Sequence, residues 1–395
     1  MTEKYNYKDL PLDRRVARGL IRKLYIGEDY HLTTEIRDGV IQHHLKHGGK
    51  PSMTQDMRRA VYKILCKFEA EGKALRRIYR RPHQWKVLSS AASDQAFVNT
   101  VVVGDTTKIL PQLIRDGRQY DVIIADPPYN IGKDFGEQSE VLPIDDYVAW
   151  AISWITDCLH LLTDDGLLYL YGFPEIIARI SAQFPIHEQR WLVWHYTNKT
   201  VPTLKFWQRS HETILCLWKP NMPRTDLEVD QIREPYTEGF LKNAAGKKRK
   251  STPSRYGSSD ETIYNAHEKG ALPRDVLKIP ALAGGSGRSE RWFICKTCDS
   301  QIYPPAYLSE HREHDILKHP TQKPMELTKR LIQSRVNGAA GKVLIPFAGS
   351  GSECVVAREL GAEYLGIEIN PEYADFANKW LEYDCEHKIK MPLFQ

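Results

Sequence analysis

Asp126-Pro127-Pro128-Tyr129 closes the apolar run Val122–Ala125. Proline donates no backbone hydrogen bond, so the pair stops a sheet ladder at that point. Two hydrogen-bond acceptors, the Asp126 carboxylate and the Pro127 carbonyl, then stand beside an aromatic ring at the end of a buried strand. Alone, this tetrapeptide is better read as a mere strand-terminating turn. A second stretch is Phe347-Ala348-Gly349-Ser350-Gly351, which follows the apolar run "KVLI" and precedes the helical pattern "SECVVAREL". Glycines there let a backbone approach a ligand closely at a helix N-terminus. Glu368 ends the next strand 19 positions after Gly349, the spacing at which a dinucleotide-type fold holds ribose hydroxyls. A lone G-x-G is weak; strand, loop, helix, strand and acid together are not. The third glycine of the dinucleotide fingerprint and the G-x-x-x-x-G-K-[ST] loop are both missing, which argues against NAD and ATP.

A third constellation is Cys295-x2-Cys298 followed by His311-x2-His314. Two thiols and two imidazoles at this spacing suit a small zinc site, although the last interval is one shorter than usual. Positions i and i+3 share a face if the segment is helical. The alternative is two free thiols and surface histidines.

These groups need elements to position them. From about residue 98 strands and helices alternate, the pattern of a doubly wound α/β sheet. Strands are expected at "FVNTVVVGD", "YDVIIADPPY", "DGLLYLYG", "EQRWLVWHYTN" and "HETILCLWKP", then at "GKVLIPFAGSG" and "AEYLGIEIN". Residues 221–318 between these halves show little periodicity and contain the basic run "GKKRK" and the glycine stretch "AGGSG". Residues 1–90 follow another plan. Three amphipathic helices are expected. The first turns Val16, Leu20, Ile21 and Leu24 inward, and the second Ile36, Val40, Ile41 and Leu45. The third has Thr54 as cap, Met57, Val61, Ile64, Leu65 and Phe68 inward, and Gly72 as exit. Two short strands joined at Arg81-Pro82-His83 follow. The layout resembles a winged helix-turn-helix, in which the third helix, with Arg58, Arg59 and Lys63, or the hairpin tip would approach DNA. A protein-interaction module has the same layout.

With 395 residues the chain exceeds one ordinary core, and 42% apolar with 27% charged residues is the composition of a globular protein. No run reaches the length of a membrane span, and "MTEKYNYKDL" carries no apolar signal segment. Seven cysteines, an odd number, suggest reduced thiols in a cytosolic compartment. The net charge is +5, yet residues 1–90 hold 20 Lys and Arg against 10 Asp and Glu, a local +10 that leaves −5 for the rest. A basic module on a near-neutral body attracts polyanions.

Taken together, "DPPY" at 126–129, "HPTQKP" at 319–324 and "PFAGSG" at 346–351 resemble the motifs of the amino-methylating, S-adenosylmethionine-dependent DNA methyltransferases. Their order resembles the circularly permuted beta class, as does "FWQRSHETILCLWKP" at 206–220. The resemblance covers roughly residues 98–220 and 316–395. Ile345 departs from it, standing where the family usually has aspartate.

The resemblance implies a Rossmann-like methyltransferase sheet, permuted; the layout of residues 1–90 adds a winged-helix-like domain in front, and the Cys/His spacing a zinc-binding insertion. The domains would be 1–90, 91–220 (catalytic half), 221–318 (target recognition, zinc at 291–315) and 319–395 (cofactor half). It implies methyl transfer to adenine N6 in double-stranded DNA, since D-P-P-Y accompanies adenine more often than cytosine. Cytosine N4, an RNA amine, or an inactive DNA-binding regulator are the alternatives. Asp126 and the Pro127 carbonyl would each accept one N–H of the target amine and aim its lone pair. Pro128 would help fix the backbone, and Tyr129 would stack on the extruded base. Asp105 would meet the adenosine end of the cofactor, or cap a turn. His319, Thr321 and Lys323 would line its methionine end, with Lys323 facing the carboxylate. Phe347 would pack on the cofactor's edge or in the core, and Gly349, Ser350, Gly351 and Glu368 would form the cradle. A structural zinc on Cys295, Cys298, His311 and His314 would brace target recognition and not the chemistry. DNA is the expected partner; a cognate restriction nuclease and a second copy of the chain remain open, and no membrane is expected. The setting would be the cytoplasm of a prokaryotic or phage-infected cell.

Overall fold

A computed structural model of the chain describes residues 8–27, 30–53, 57–70, 74–77, 84–87, 98–130, 141–199, 203–223, 226–250, 261–282, 290–298, 300–302, 311–336 and 341–387. The expected cap Thr54, the exit Gly72, the hairpin turn Arg81-Pro82-His83 and the glycine stretch 283–287 lie outside the described residues.

The N-terminal module runs β1 (Pro11–Leu12), α1 (Arg14–Leu24), β2 (His31–Leu32), α2 (Thr33–Lys46), β3 (Lys50–Met53), α3 (Met57–Ala70), β4 (Ala74–Arg77) and β5 (Gln84–Val87). Asp13 caps α1 by accepting the Val16 N–H at 2.8 Å. Leu20, Ile21, Ile36, Val40, Leu65 and Phe68 meet Trp85 in one core. The three helices and the β4–β5 pair are as expected. The sequence reading missed β2, which makes the hairpin a three-stranded sheet in the order β2-β5-β4. Leu45 is a correction: in the last turn of α2 it is 44% exposed.

A buried ion pair joins this module to the rest. Lys86 on β5 reaches Asp157 at 3.3 Å, with the side chains 1% and 0% exposed. Tyr30 donates to the same carboxylate at 3.1 Å.

The main body continues β6 (Thr100–Val103), α4 (Thr106–Arg115), β7 (Tyr120–Ala125), α5 (Ile144–Leu161), β8 (Leu162–Gly172), α6 (Pro174–Ser181), β9 (Gln189–His195) and β10 (His211–Trp218). After α7 (Glu238–Asn243), β11 (Lys248–Lys250) and β12 (Glu261–Ile263) comes β13 (Val276–Lys278), which pairs with β9 and so adds part of the aperiodic region to the sheet. A small sheet of β14 (Phe293–Cys295), β15 (Ser300–Ile302) and β16 (Ile316–Leu317) precedes α8 (Met325–Gln333), β17 (Lys342–Ile345), α9 (Ser352–Glu359), β18 (Glu363–Glu368) and α10 (Pro371–His387).

The eight-stranded sheet has the order β13-β9-β10-β8-β7-β17-β18-β6. It is parallel from β8 to β6, while β10 runs antiparallel to both its neighbours. Side chains alternate across it, as a strand's period of two requires. Val122 and Ile124 enter the core under α8–α10, and Ile123 and Ala125 the core under α4–α6. Helices on both faces explain why these strands read as nearly continuous apolar runs.

Candidate active site

β7 and β17 are hydrogen-bonded neighbours, with Val343 opposite Val122 and Leu344 opposite Ile123. Both run the same way, so the Asp126 turn and the glycine loop leave the sheet side by side. In open α/β sheets, ligands bind in the crevice beyond the carboxyl ends of the strands. A cavity of about 1140 Å³ opens there. Asp105, Asp126, Pro127, Pro128, Tyr129, His319, Thr321, Lys323, Phe347, Gly349, Ser350 and Glu368 all line it.

Three segments distant in sequence converge on Asp126. Lys323 donates to its two oxygens at 2.8 and 2.7 Å and to the Tyr129 hydroxyl at 3.0 Å. Tyr129 donates to Asp126 at 2.7 Å or to Glu212 on β10 at 3.1 Å. Its ring stands edge-to-face on Phe173 at 5.0 Å. The Tyr147 hydroxyl donates to the Pro128 carbonyl at 2.8 Å and fixes the turn. Burial pushes the Asp126 carboxyl up, and the Lys323 ammonium pulls against it. Burial alone would lower Lys323, but the Asp126 and Glu212 carboxylates outweigh it and keep the ammonium charged. Lys323 therefore sits on the turn's carboxylate instead of facing an open space, which the sequence did not indicate.

The glycine loop is held from three sides. Glu368 accepts the Gly349 N–H at 2.8 Å and the Asn370 N–H at 2.9 Å. Ala348 donates to the Ile367 carbonyl at 2.8 Å, and the Thr106 hydroxyl donates to the Pro346 carbonyl. Gly349 has φ +50°, and a Cβ there would lie 2.8 Å from the His319 ring, so the backbone passes too close to the "HPTQKP" segment for any side chain. His319 is neutral: burial, then Lys323 and Arg291, hold it down at about 3. Ser350 is buried, its hydroxyl 3.3 Å from Ser352.

Three placements refine the sequence reading. Gly351 is not on the cavity wall. It precedes α9 at φ +77°, and a Cβ there would strike Ala377 of α10 at 2.6 Å. The absence of a side chain there sets the entry angle of α9. Asp105 caps α4 through the Thr107 N–H at 2.9 Å while still facing the cavity. Phe347 packs on Trp154 at 4.9 Å and also reaches the cavity. Glu212 and Glu353, both buried at the cavity, were missed. Glu212 had a signal, an acid inside the apolar strand "HETILCLW"; Glu353 had none.

Cys295, Cys298, His311 and His314 come together, with one ligand atom of each within 4.8 Å of the others. Cys295 Sγ is 3.4 Å from His314 Nδ1, Cys298 Sγ is 3.5 Å from His311 Nδ1, and the two Nδ1 atoms are 3.1 Å apart. Zn–S of about 2.3 Å and Zn–N of about 2.0–2.1 Å in a tetrahedron give edges close to these lengths, so the donor set fits zinc. The histidines sit in a tight turn, closed by His314 N–H to His311 C=O at 3.0 Å, and not on the helix face expected.

A profile of the DNA methylase family, the N6/N4 type, matches residues 120–379. The chain belongs to this N6/N4 DNA methylase family. Among its relatives, the DNA adenine methyltransferase YhdJ of Escherichia coli K12 is 30% identical over 300 residues, covering 74% of this chain and 87% of YhdJ. The type II methyltransferase M.HpaI of Haemophilus parainfluenzae is 27% identical over 266 residues, 66% of this chain and 68% of that one. The solved PvuII DNA methyltransferase, cytosine-N4-specific, is 14% identical with a TM-score of 0.44, covering 70% of this chain and 84% of that one. The DNA methylase match begins at Tyr120, so β6, Asp105 and the basic N-terminal module lie ahead of it.

Proposed function

We propose that this DNA methylase transfers a methyl group from S-adenosylmethionine to adenine N6 in double-stranded DNA, on a base turned out of the helix. One observation carries the reading: Asp126 and the Pro127 carbonyl end β7 beside the glycine loop that ends β17, within one cavity. The D-P-P-Y form and the adenine-specific name of the 30% identical relative support adenine over cytosine.

The cavity fits the cofactor. Gly349 leaves backbone where a side chain cannot stand, and Glu368 marks the end of the neighbouring strand. Gly349, Ser350, Glu368, Asp105, Phe347, His319 and Thr321 would hold it; when bound it supplies an electrophilic methyl group. The chain's own part is positioning. Asp126 and Pro127 each accept an N–H of the exocyclic amine, drawing its lone pair out of conjugation and along the line of transfer. Such orientation supplies roughly 7–11 kcal/mol in favourable systems. Lys323 occupies the Asp126 oxygens that the amine needs, so productive binding exchanges one for the other.

The wider reading goes with this. The chain order, with the catalytic strand ahead of the glycine loop, is that of the permuted beta class. Residues 1–90 form a winged-helix-like DNA-binding domain, ahead of a catalytic half at 91–220, a recognition region at 221–318 and a cofactor half at 319–395. Zinc on the Cys/His cluster stabilises the small sheet that contains β14. The protein works in the cytoplasm; among the described residues no helix is long and apolar enough to cross a membrane.

Incubation with unmethylated genomic DNA and labelled S-adenosylmethionine, followed by nucleoside analysis, tests the reading. N6-methyladenine should form and should disappear with Asp126→Ala, while S-adenosylhomocysteine affinity stays within a few-fold. N4-methylcytosine as the product would overturn the adenine assignment, and an active Asp126→Ala the mechanism.

A further inference from the structure

Between β9 and β10 the chain carries Leu204-Lys205-Phe206-Trp207-Gln208-Arg209 at the mouth of the cavity. Phe206 and Trp207 are 79% and 87% exposed. Two adjacent aromatic rings so open to water forfeit burial that either would gain in a core. Such exposure marks an interaction surface when it is concentrated in one patch.

The base of this tip is tied to the catalytic wall. Gln208 donates to the Lys199 carbonyl, joining the two legs of the loop. Arg209 stacks on Phe173 at 4.3 Å and pairs with Glu175 at 2.8 Å. Phe173 in turn packs on Tyr129. Trp207 is thus two residues from an arginine whose stacking partner touches the D-P-P-Y tyrosine. Lys205 adds a positive charge next to the rings.

We infer that Phe206 and Trp207 form a wedge that enters the base stack of duplex DNA and fills the gap left when the target base is turned out. This deepens the proposed function and rests on it. Apolar side chains pushed between base steps offset the lost stacking and hold a distorted duplex open. The Lys205 ammonium suits a phosphate beside the gap, and the link through Arg209 and Phe173 fixes the wedge relative to the turn that takes the amine. A second copy of the chain is the competing occupant of so apolar a tip.

The test is Phe206→Ala with Trp207→Ala in the full chain, on an oligonucleotide carrying the site mapped for the wild type. Methylation of the paired duplex should fall about tenfold or more. The deficit should largely vanish when the target base faces an abasic position, because extrusion then costs least. S-adenosylhomocysteine affinity and the sedimentation coefficient should be unchanged. Equal losses on both duplexes, no loss on either, or a change from dimer to monomer would each overturn the wedge. A wild-type protein inactive on every DNA would remove the methyltransfer reading and the wedge with it; an active wild type beside an indifferent double variant removes the wedge alone.

Discussion

Lys323 holds both carboxylate oxygens of Asp126, at 2.8 and 2.7 Å, across 197 positions of sequence. The pair is buried, with side chains 6% and 17% exposed, and Glu212 lies 3.7 Å from the same ammonium. The cation thus stands between two carboxylates and opposes the burial that pushes the Asp126 carboxyl up.

Lys323→Met should therefore strand two buried carboxylates. Breaking a buried pair by removing one partner costs roughly 3–5 kcal/mol. Without the ammonium, the Asp126 carboxyl, which burial already raises above its ordinary value, loses the charge that pulls against that rise and goes higher still. Folding then takes up protons, and stability is lost as pH rises. Urea denaturation should show a deficit that is small near pH 5 and large near pH 8.5. A deficit equal at both would show that the ammonium does not balance these charges.

Glu353 gives the converse. Burial, then the Asp126 charge, pushes its carboxyl up to about 7 from an ordinary 4.5. The stability contributed by its protonated form is complete below about pH 4.5 and is lost as pH rises through 7. Glu353→Gln removes that loss. It should match the wild type at pH 5 and exceed it at pH 8.5, with a ceiling on the order of 3 kcal/mol. A variant less stable than the wild type at pH 8.5 would refute the assignment.

Purified without chelators, the protein should hold about one zinc per chain by elemental analysis. Cys295→Ser with Cys298→Ser should lose it and make the segment around β14 protease-sensitive. The structure extends the consequence. β16 pairs with β14 and leads directly to His319, so the variant should also bind S-adenosylhomocysteine more weakly. Metal retained by the double variant would place it on other ligands.

Arg59, Lys63 and Lys67 are exposed at intervals of four along α3 and make one basic stripe. Replacing all three by Ala should flatten the dependence of DNA affinity on salt by up to about 2.7 in log–log slope. Fluorescence anisotropy at several salt concentrations would measure it, and an unchanged slope would assign the module to protein contacts instead.

How much of this was legible in the sequence follows from how local each signal is. The strands ending at Asp126 and Gly349 could be read because helices cover both their faces, which leaves unbroken apolar runs punctuated by proline or glycine. The Cys/His cluster could be read because metal-ligand spacing is short. The grip of Lys323 on Asp126 could not, since it depends on "HPTQKP" folding back over β7. The packing constraint on Gly351 was hidden for the same reason: it is the passage of α10, a helix that follows it in sequence. Leu45 followed the helical period correctly, but α2 outruns its partners there.

The buried contact of Lys86 and Tyr30 with Asp157 has a geometric consequence. Asp157 lies on α5, the helix packed beneath β7. On the proposed reading, the basic N-terminal module cannot swing freely and acts as one arm of a ruler. The base presented to Asp126 then lies a set number of base pairs from the duplex under α3, and lengthening the 88–97 segment should leave that offset unaltered.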